Sequence, residues 1–253
     1  MRRALAALVL AAAAASIPGA AAGRGIELSA SPLRVTLRGA SATVITVRNP
    51  GGRALRVDVS RAGFARSLSG RPRVQPGRGR SAIAWLRVRP RRLRIAAGAK
   101  ATLHVSERPP RGAAPGDHLA LALLTTRPLG VRRVRLRLQV GVIVVLHVRG
   151  RITRRLDARS LTVRHAGTRR VLELLLVNRG NVTERLVTDR LRLVLLRRGR
   201  PFATLRPRSR ELLPHSAGIA EFAYRGGVRG DVLAQVAVRP AVHGPRRRFR
   251  LRL

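Results

Sequence analysis

Apolar and polar residues alternate along most of this chain. The stretches LRVTL (33–37), ATVITV (42–47), ALRVDV (54–59), AIAWLRV (82–88), ATLHV (101–105) and LALALL (119–124) put aliphatic side chains at every second position, the period of a strand with one buried face. The same period continues through SLTV (160–163), VLELLLV (171–177), AEFAY (220–224), VLAQVAV (232–238) and FRLRL (249–253). Residues 190–196 could be helical by propensity, but RLRLVLL opens with alternation and fits a strand better. Gly, Pro and Asn separate these short runs at spacings suited to a sandwich, so the predicted class is all-β.

A weak internal repeat divides the chain. VRNPGGRALRV (47–57) matches VNRGNVTERLV (177–187): an apolar strand, an asparagine, a glycine-bearing turn and a second apolar strand. Further on, Gly116-Asp117-His118-Leu119-Ala120 matches Gly230-Asp231-Val232-Leu233-Ala234. The landmarks keep their order, at offsets of 129 (178 − 49) and 114 (230 − 116), as if the second copy had lost a loop. Two tandem immunoglobulin-like β-sandwich domains follow, over residues 23–150 and 151–253, each near the usual ~100 residues of that fold.

Two arginine-rich stretches stand out. Residues 133–150, RVRLRLQVGVIVVLHVRG, begin by alternating arginine with an aliphatic residue and then turn apolar on both faces. As the last strand of the first domain, this stretch would put Arg133, Arg135 and Arg137 on a solvent face and Val134, Leu136 and Leu138 on the core. Beyond Gly141, two apolar faces suit a strand end covered by the other domain or by a crossing loop. The connection 63–81 is rich in Gly, Pro, Ser and Arg, is long for a hairpin, and reads as a mobile insertion or a recognition loop carrying Arg71, Arg73, Arg78 and Arg80.

The first residues, MRRALAALVLAAAAASIPGAAAG, read as a signal peptide over 1–22: two arginines, an apolar stretch too short to span a bilayer, and a small-residue cleavage site. The expected product is exported, has no integral membrane span, and is secreted, extracellular or held at the cell envelope. Zero cysteines exclude a disulfide scaffold, a thiol nucleophile and thiolate metal sites. Removing Arg2 and Arg3 takes the formal charge from +42 to about +40 (42 − 2), so the basicity belongs to the folded protein. Lys100 is the single lysine beside 52 arginines (53 − 1), and with the abundant Ala, Gly and Pro this suggests GC-rich codon bias as one source of the excess. Whatever its origin, such a surface attracts polyanions.

Reactive chemistry is sparse. The six histidines form no i, i+4 pair, no two of the eleven acids are adjacent, and neither a G-x-S-x-G elbow nor a G-x-x-x-x-G-K loop occurs. No catalytic residue, metal site or cofactor is predicted, and the expectation is a protein that is not an enzyme. One Trp, one Tyr and four Phe give too few stacking platforms for specific nucleic-acid binding.

Residues 80–125 resemble the N-terminal domain of WxL-interacting proteins. The shared landmarks are Trp85, Val88 and Pro90, then Leu93 and Gly98, then Pro110, Pro115, Gly116, Asp117 and His118. The turn Asn178-Arg179-Gly180-Asn181 is similar to the second domain of that family. The resemblance implies a surface protein whose first domain contacts peptidoglycan and whose second contacts another protein. The expected function is therefore a non-enzymatic envelope-binding module that uses Arg71, Arg73, Arg78, Arg80, Arg133, Arg135 and Arg137 on anionic wall polymers and also engages a surface-protein partner. The alternative is a periplasmic pilus-type chaperone acting by β-strand complementation, a related two-domain sandwich.

Overall fold

The computed structural model describes residues 25–39, 41–75, 82–128, 136–167, 169–187, 190–238 and 247–253. The stretch 1–22, read from the sequence as a signal peptide, lies outside them. Described secondary structure is strand throughout, in chain order β1 Ser29–Ser31, β2 Arg34–Arg38, β3 Ala42–Arg48, β4 Leu55–Arg66, β5 Pro72–Gln75, β6 Leu86–Arg89, β7 Arg92–Ile95, β8 Lys100–Glu107, β9 Gly116–Thr126 and β10 Gln139–Val148. The second half contributes β11 Leu156–Ala166, β12 Arg169–Asn178, β13 Glu184–Leu186, β14 Leu191–Arg197, β15 Arg200–Leu205, β16 Arg210–Leu212, β17 Ala217–Tyr224, β18 Asp231–Val238 and β19 Arg248–Arg252.

The first half forms two facing sheets. One runs β1-β3-β8-β6, and the other runs β2-β10-β9-β4-β5, with β7 also paired to β4. The alternation explains the packing: Ile45 and Val47 of β3, Leu103 and Val105 of β8, Ala120, Ala122 and Leu124 of β9, and Val142, Val144 and Leu146 of β10 meet in one cluster. The second half repeats the plan with sheets β11-β12-β17 and β15-β14-β18-β19 plus the short pair β13-β16, around Leu172, Leu174, Leu176, Leu193, Phe222 and their neighbours. These are two immunoglobulin-like sandwiches in tandem.

The repeated asparagines have one job in both. Asn49 and Asn178, each fully buried, follow or close the strands β3 and β12. The Asn49 amide nitrogen donates to the carbonyls of Arg53, Ile95 and Ala96 at 2.7–3.1 Å, and that of Asn178 to those of Val182, Leu212 and Leu213 at 2.8–3.3 Å. Each side chain thus supplies the donors that an irregular, buried turn cannot supply from its own backbone.

Three local expectations change. Residues 82–85 are a helical turn closed by the Leu86 amide on the Ala82 carbonyl (3.0 Å), so the predicted strand begins only at Leu86. Residues 63–75 of the connection are a strand hairpin: β4 runs on to Arg66 and turns back into β5, paired from Gly63↔Gln75 to Arg66↔Pro72. Within the described part of the arginine stretch, from Leu136 on, regular strand begins at Gln139, and Leu136, expected in the core, is 52% exposed.

Candidate functional site

β10 has different neighbours along its two edges. Its whole length pairs with β9, from Gln139↔Thr125 to Val148↔Gly116. On the other side, β2 lies parallel to it over Ile143↔Arg34 to His147↔Arg38. No strand among the described residues covers that side of Gln139–Val142. The direction of the unpaired groups follows from the two-residue alternation of a strand. Leu138 exchanges hydrogen bonds with Thr126 across to β9, whereas the Ile143 amide donates to the Leu33 carbonyl (2.9 Å) on the β2 side. Gln139 and Gly141 share the parity of Ile143, so their N–H and C=O groups point to the bare edge.

Side chains of the same segment form two rows. Val142, Val144 and Leu146 are buried in the first core, and their row continues through half-buried Val140 and Leu138 to exposed Leu136. An apolar row thus runs out of the core along an unpaired edge. The opposite row holds Gly141, Gln139 and Arg137. The Gln139 amide turns back to Thr125 (3.1 Å), and Arg137 is exposed.

Where β2 begins, beside the end of the bare edge, the second sandwich presses on the first. Arg34 and Arg66 both pair with Glu211 of β16, the Arg66 contact at 3.5 Å. Arg210, next to it, reaches the β4–β5 turn and donates to the carbonyls of Leu68 (3.0 Å) and Ser69 (2.6 Å), and also to that of Ile219 in its own sandwich. The Ile219 amide returns a bond to the Leu68 carbonyl (2.9 Å). Leu213 then covers the outer face of the first sandwich, against Ala62, Phe64, Leu121, Leu123 and Ile143. This is the cover that the doubly apolar end of the arginine stretch called for.

A second junction lies at the start of β9. The Asp117 amide donates to the Asn181 carbonyl (2.8 Å), and the Asp117 carboxylate accepts from the Thr183 amide (2.8 Å) and binds His147 Nδ1 (2.7 Å). Burial pushes this carboxyl up, but the bonds from His147 and Thr183 overcome it and hold the group below the usual carboxylate range. Glu107, on β8, goes the other way. It is 5% exposed and its oxygens make no hydrogen bond among the described residues, so burial raises its pKa against weaker opposing pulls from the Gly39 amide and His147. Trp85 packs against His118 with ring centroids 4.6 Å apart and the planes tilted by 59°. Trp85, Pro115, Gly116, Asp117 and His118, the landmarks singled out in the sequence, therefore gather around this junction.

Arg78, Arg80, Arg133 and Arg135 lie outside the described residues. Arg71 and Arg73 are exposed on the β4–β5 hairpin and Arg137 is exposed beside β10, on separate elements. No group of three His, Cys, Asp or Glu side chains suited to a metal occurs among the described residues, and no described helix is long and apolar enough to cross a membrane. Arg34, Arg66 and Glu211 were not singled out in the sequence: their pairing joins positions 145 or more residues apart, and no local spacing announces it.

No protein-family model matches the chain, and no curated protein does. Solved structures do. Over 89% of its length it superposes on 98% of a chain in "Chaperone-tip adhesin complex is vital for synergistic activation of CFA/I fimbriae biogenesis", with a TM-score of 0.50 at 8% identity. Its two-sandwich fold is like that of fimbrial chaperones. The class 5 fimbriae chaperone CfaA (TM-score 0.49, 8% identity, 89% of this chain and 98% of that one) and a chain of the Salmonella enterica SafA pilin–SafB chaperone complex (0.45, 13%, 91% and 98%) also match. At these identities the likeness concerns the fold. It corrects the expectation of a wall-binding module with cell-wall polymer or peptidoglycan as partner: the solved structure sharing this architecture comes from a chaperone–tip adhesin complex. The WxL-interacting likeness has no family match behind it and remains one of sequence landmarks.

Proposed function

We propose that this protein is a chaperone of the cell envelope, exported to the periplasm, that lends the bare edge of β10 to a strand of a surface subunit. The observation carrying this reading is the segment Gln139–Val142, where the N–H and C=O groups of Gln139 and Gly141 face outward beside an apolar row leaving the core. An incoming strand would take the place beyond the start of β2, bond to the N–H and C=O groups of Gln139 and Gly141, and lay its own apolar side chains along Leu136, Leu138 and Val140. Each such backbone bond contributes about 0.5–1.5 kcal/mol net, and apolar burial adds about 25 cal/mol per Å². No bond is made or broken covalently, in keeping with the lack of assembled metal-binding side chains among the described residues. The two-sandwich fold shared with fimbrial chaperones supports the reading.

The test uses the surface subunits encoded beside this gene, co-expressed with the full chain in a bacterial periplasm. A one-to-one complex that survives high salt is expected. Gly141→Pro removes one outward N–H without touching the β9 ladder, and Leu136→Asp breaks the apolar row at an exposed site, so each should abolish the complex while leaving the fold intact. A complex that withstands both substitutions, or no complex with any of these subunits, would refute the proposal.

A further inference from the structure

We propose that the strand accepted by this edge comes from an acidic chain in which carboxylates alternate with large apolar side chains. The inference rests on the chaperone reading and adds the chemistry of the partner. Two observations carry it.

The first is the composition of the two rows at the edge. One is apolar from Val140 to Leu136, so the incoming strand must be apolar at every second position. The other, as far as the described residues reach, runs to Arg137, an exposed guanidinium that meets no carboxylate among the described residues. Gln139, the next side chain on that row, is turned away to Thr125, which leaves Arg137 as the charge an alternate residue of the partner strand would face.

The second is the shortage of internal anions. Asp157 holds Arg155, Arg159 and Arg179, Glu184 holds Arg154 and Arg190, Glu211 holds Arg34 and Arg66, and Asp58 holds Arg92 and Arg127. Four carboxylates thus already serve nine guanidiniums, in a chain with 53 basic residues and 11 acids. Arg137, which meets no carboxylate among the described residues, can take one from the partner. A basic incoming strand would be repelled before its backbone could pair, whereas an acidic one is steered in and held in register.

Three synthetic peptides of equal length test this on the full mature chain, read by fluorescence anisotropy at low and at raised salt. The first alternates Leu or Val with Glu, the second keeps the apolar positions and replaces Glu by Ser or Thr, and the third scrambles the first so that alternation is lost. The first should bind roughly tenfold tighter than either of the others at low salt, and Arg137→Glu, at an exposed site, should erase its advantage over the second. Equal binding of the first two overturns the charge inference and leaves the chaperone reading standing. Equal binding of the first and third, or a preference that survives Arg137→Glu, assigns the attraction to bulk charge and also overturns it. If no peptide binds, the strand-accepting edge itself is wrong and both readings fall.

Discussion

Replacing Asn178 should destabilise the second sandwich and loosen its seat on the first. The side chain is fully buried; its nitrogen donates to the carbonyls of Val182, Leu212 and Leu213, and its oxygen accepts from the Gly180 amide at 2.8 Å. Asn178→Ala deletes these bonds and orphans at least two buried carbonyls and one amide. The amide has two hydrogens to share among the three carbonyls and one accepting oxygen, so about three full bonds are lost; at about 1 kcal/mol net each, with up to about 2 kcal/mol more for a buried group left unsatisfied, the expected loss is about 3–5 kcal/mol, a large part of the ~5–15 kcal/mol that holds a domain folded. For a sandwich of this size that lowers Tm by more than about 12 °C. Circular-dichroism melts and urea titrations of the full chain measure it, the two sandwiches being read as separate transitions where they separate. Asn178→Asp sharpens the test because it keeps the shape and loses the donors. Its carboxylate would face three carbonyl oxygens at neutral pH, so it should cost at least as much as alanine. An Asp variant within about 1 kcal/mol of wild type would refute the assignment of the amide as a three-carbonyl clamp.

Other outcomes follow from the contacts between the sandwiches. Gly116 has φ +120° and a Cβ there would collide with the Asn181 carbonyl, so Gly116→Ala should destabilise the chain by about 1–3 kcal/mol or more in the same melts, while Gly98→Ala, at φ +71° in open space, should pay for backbone strain alone. The carboxyls of Asp117 and Glu107 should act oppositely with pH. Asp117 titrates below its ordinary range when folded, so its contribution is present above that range and lost as pH falls through the lowered value; Asp117→Asn should flatten the acid limb of the stability curve. Glu107 titrates above its ordinary range, so its contribution is present in acid and lost as pH rises through the raised value; Glu107→Gln should raise the melting temperature at pH 7 and not below pH ~4. Arg210→Ala removes the guanidinium that ties Leu68, Ser69 and Ile219 together, and hydrogen exchange should speed up at the Ile219 amide and in the β4–β5 turn, with the β12 amides unchanged.

Strand class and order were legible because alternation reports directly on a half-buried sheet. The runs around Val44, Leu103, Leu174 and Phe222 fall in β3, β8, β12 and β17, and RLRLVLL falls in β14 and not in a helix. The matched asparagines were also legible as a repeat, although their three-carbonyl role needed the fold. Short strands escaped: β5 carries PRVQ and β13 carries ERL, too brief to show a period. Leu136 escaped for another reason. Period two says that it shares a row with Val142, but only the point where β2 begins decides whether that row lies beside a neighbouring strand or beyond it. The clamp of Arg34, Arg66 and Arg210 on the other sandwich was hidden because an arginine among fifty others has no local mark of its partner.

The double duty of β10 constrains how this strand can vary among descendants. The same succession of side chains that fills the interior at Val142, Val144 and Leu146 sets which residues line the margin at Leu136 and Leu138. An insertion or deletion of one residue between Leu138 and Val142 would exchange the two rows on one side of it, carrying a guanidinium into line with the hydrocarbon and turning the leucines about. Changes by two keep the parity and merely lengthen or shorten the reach. Relatives that differ in the span of this strand should therefore differ by even numbers of residues.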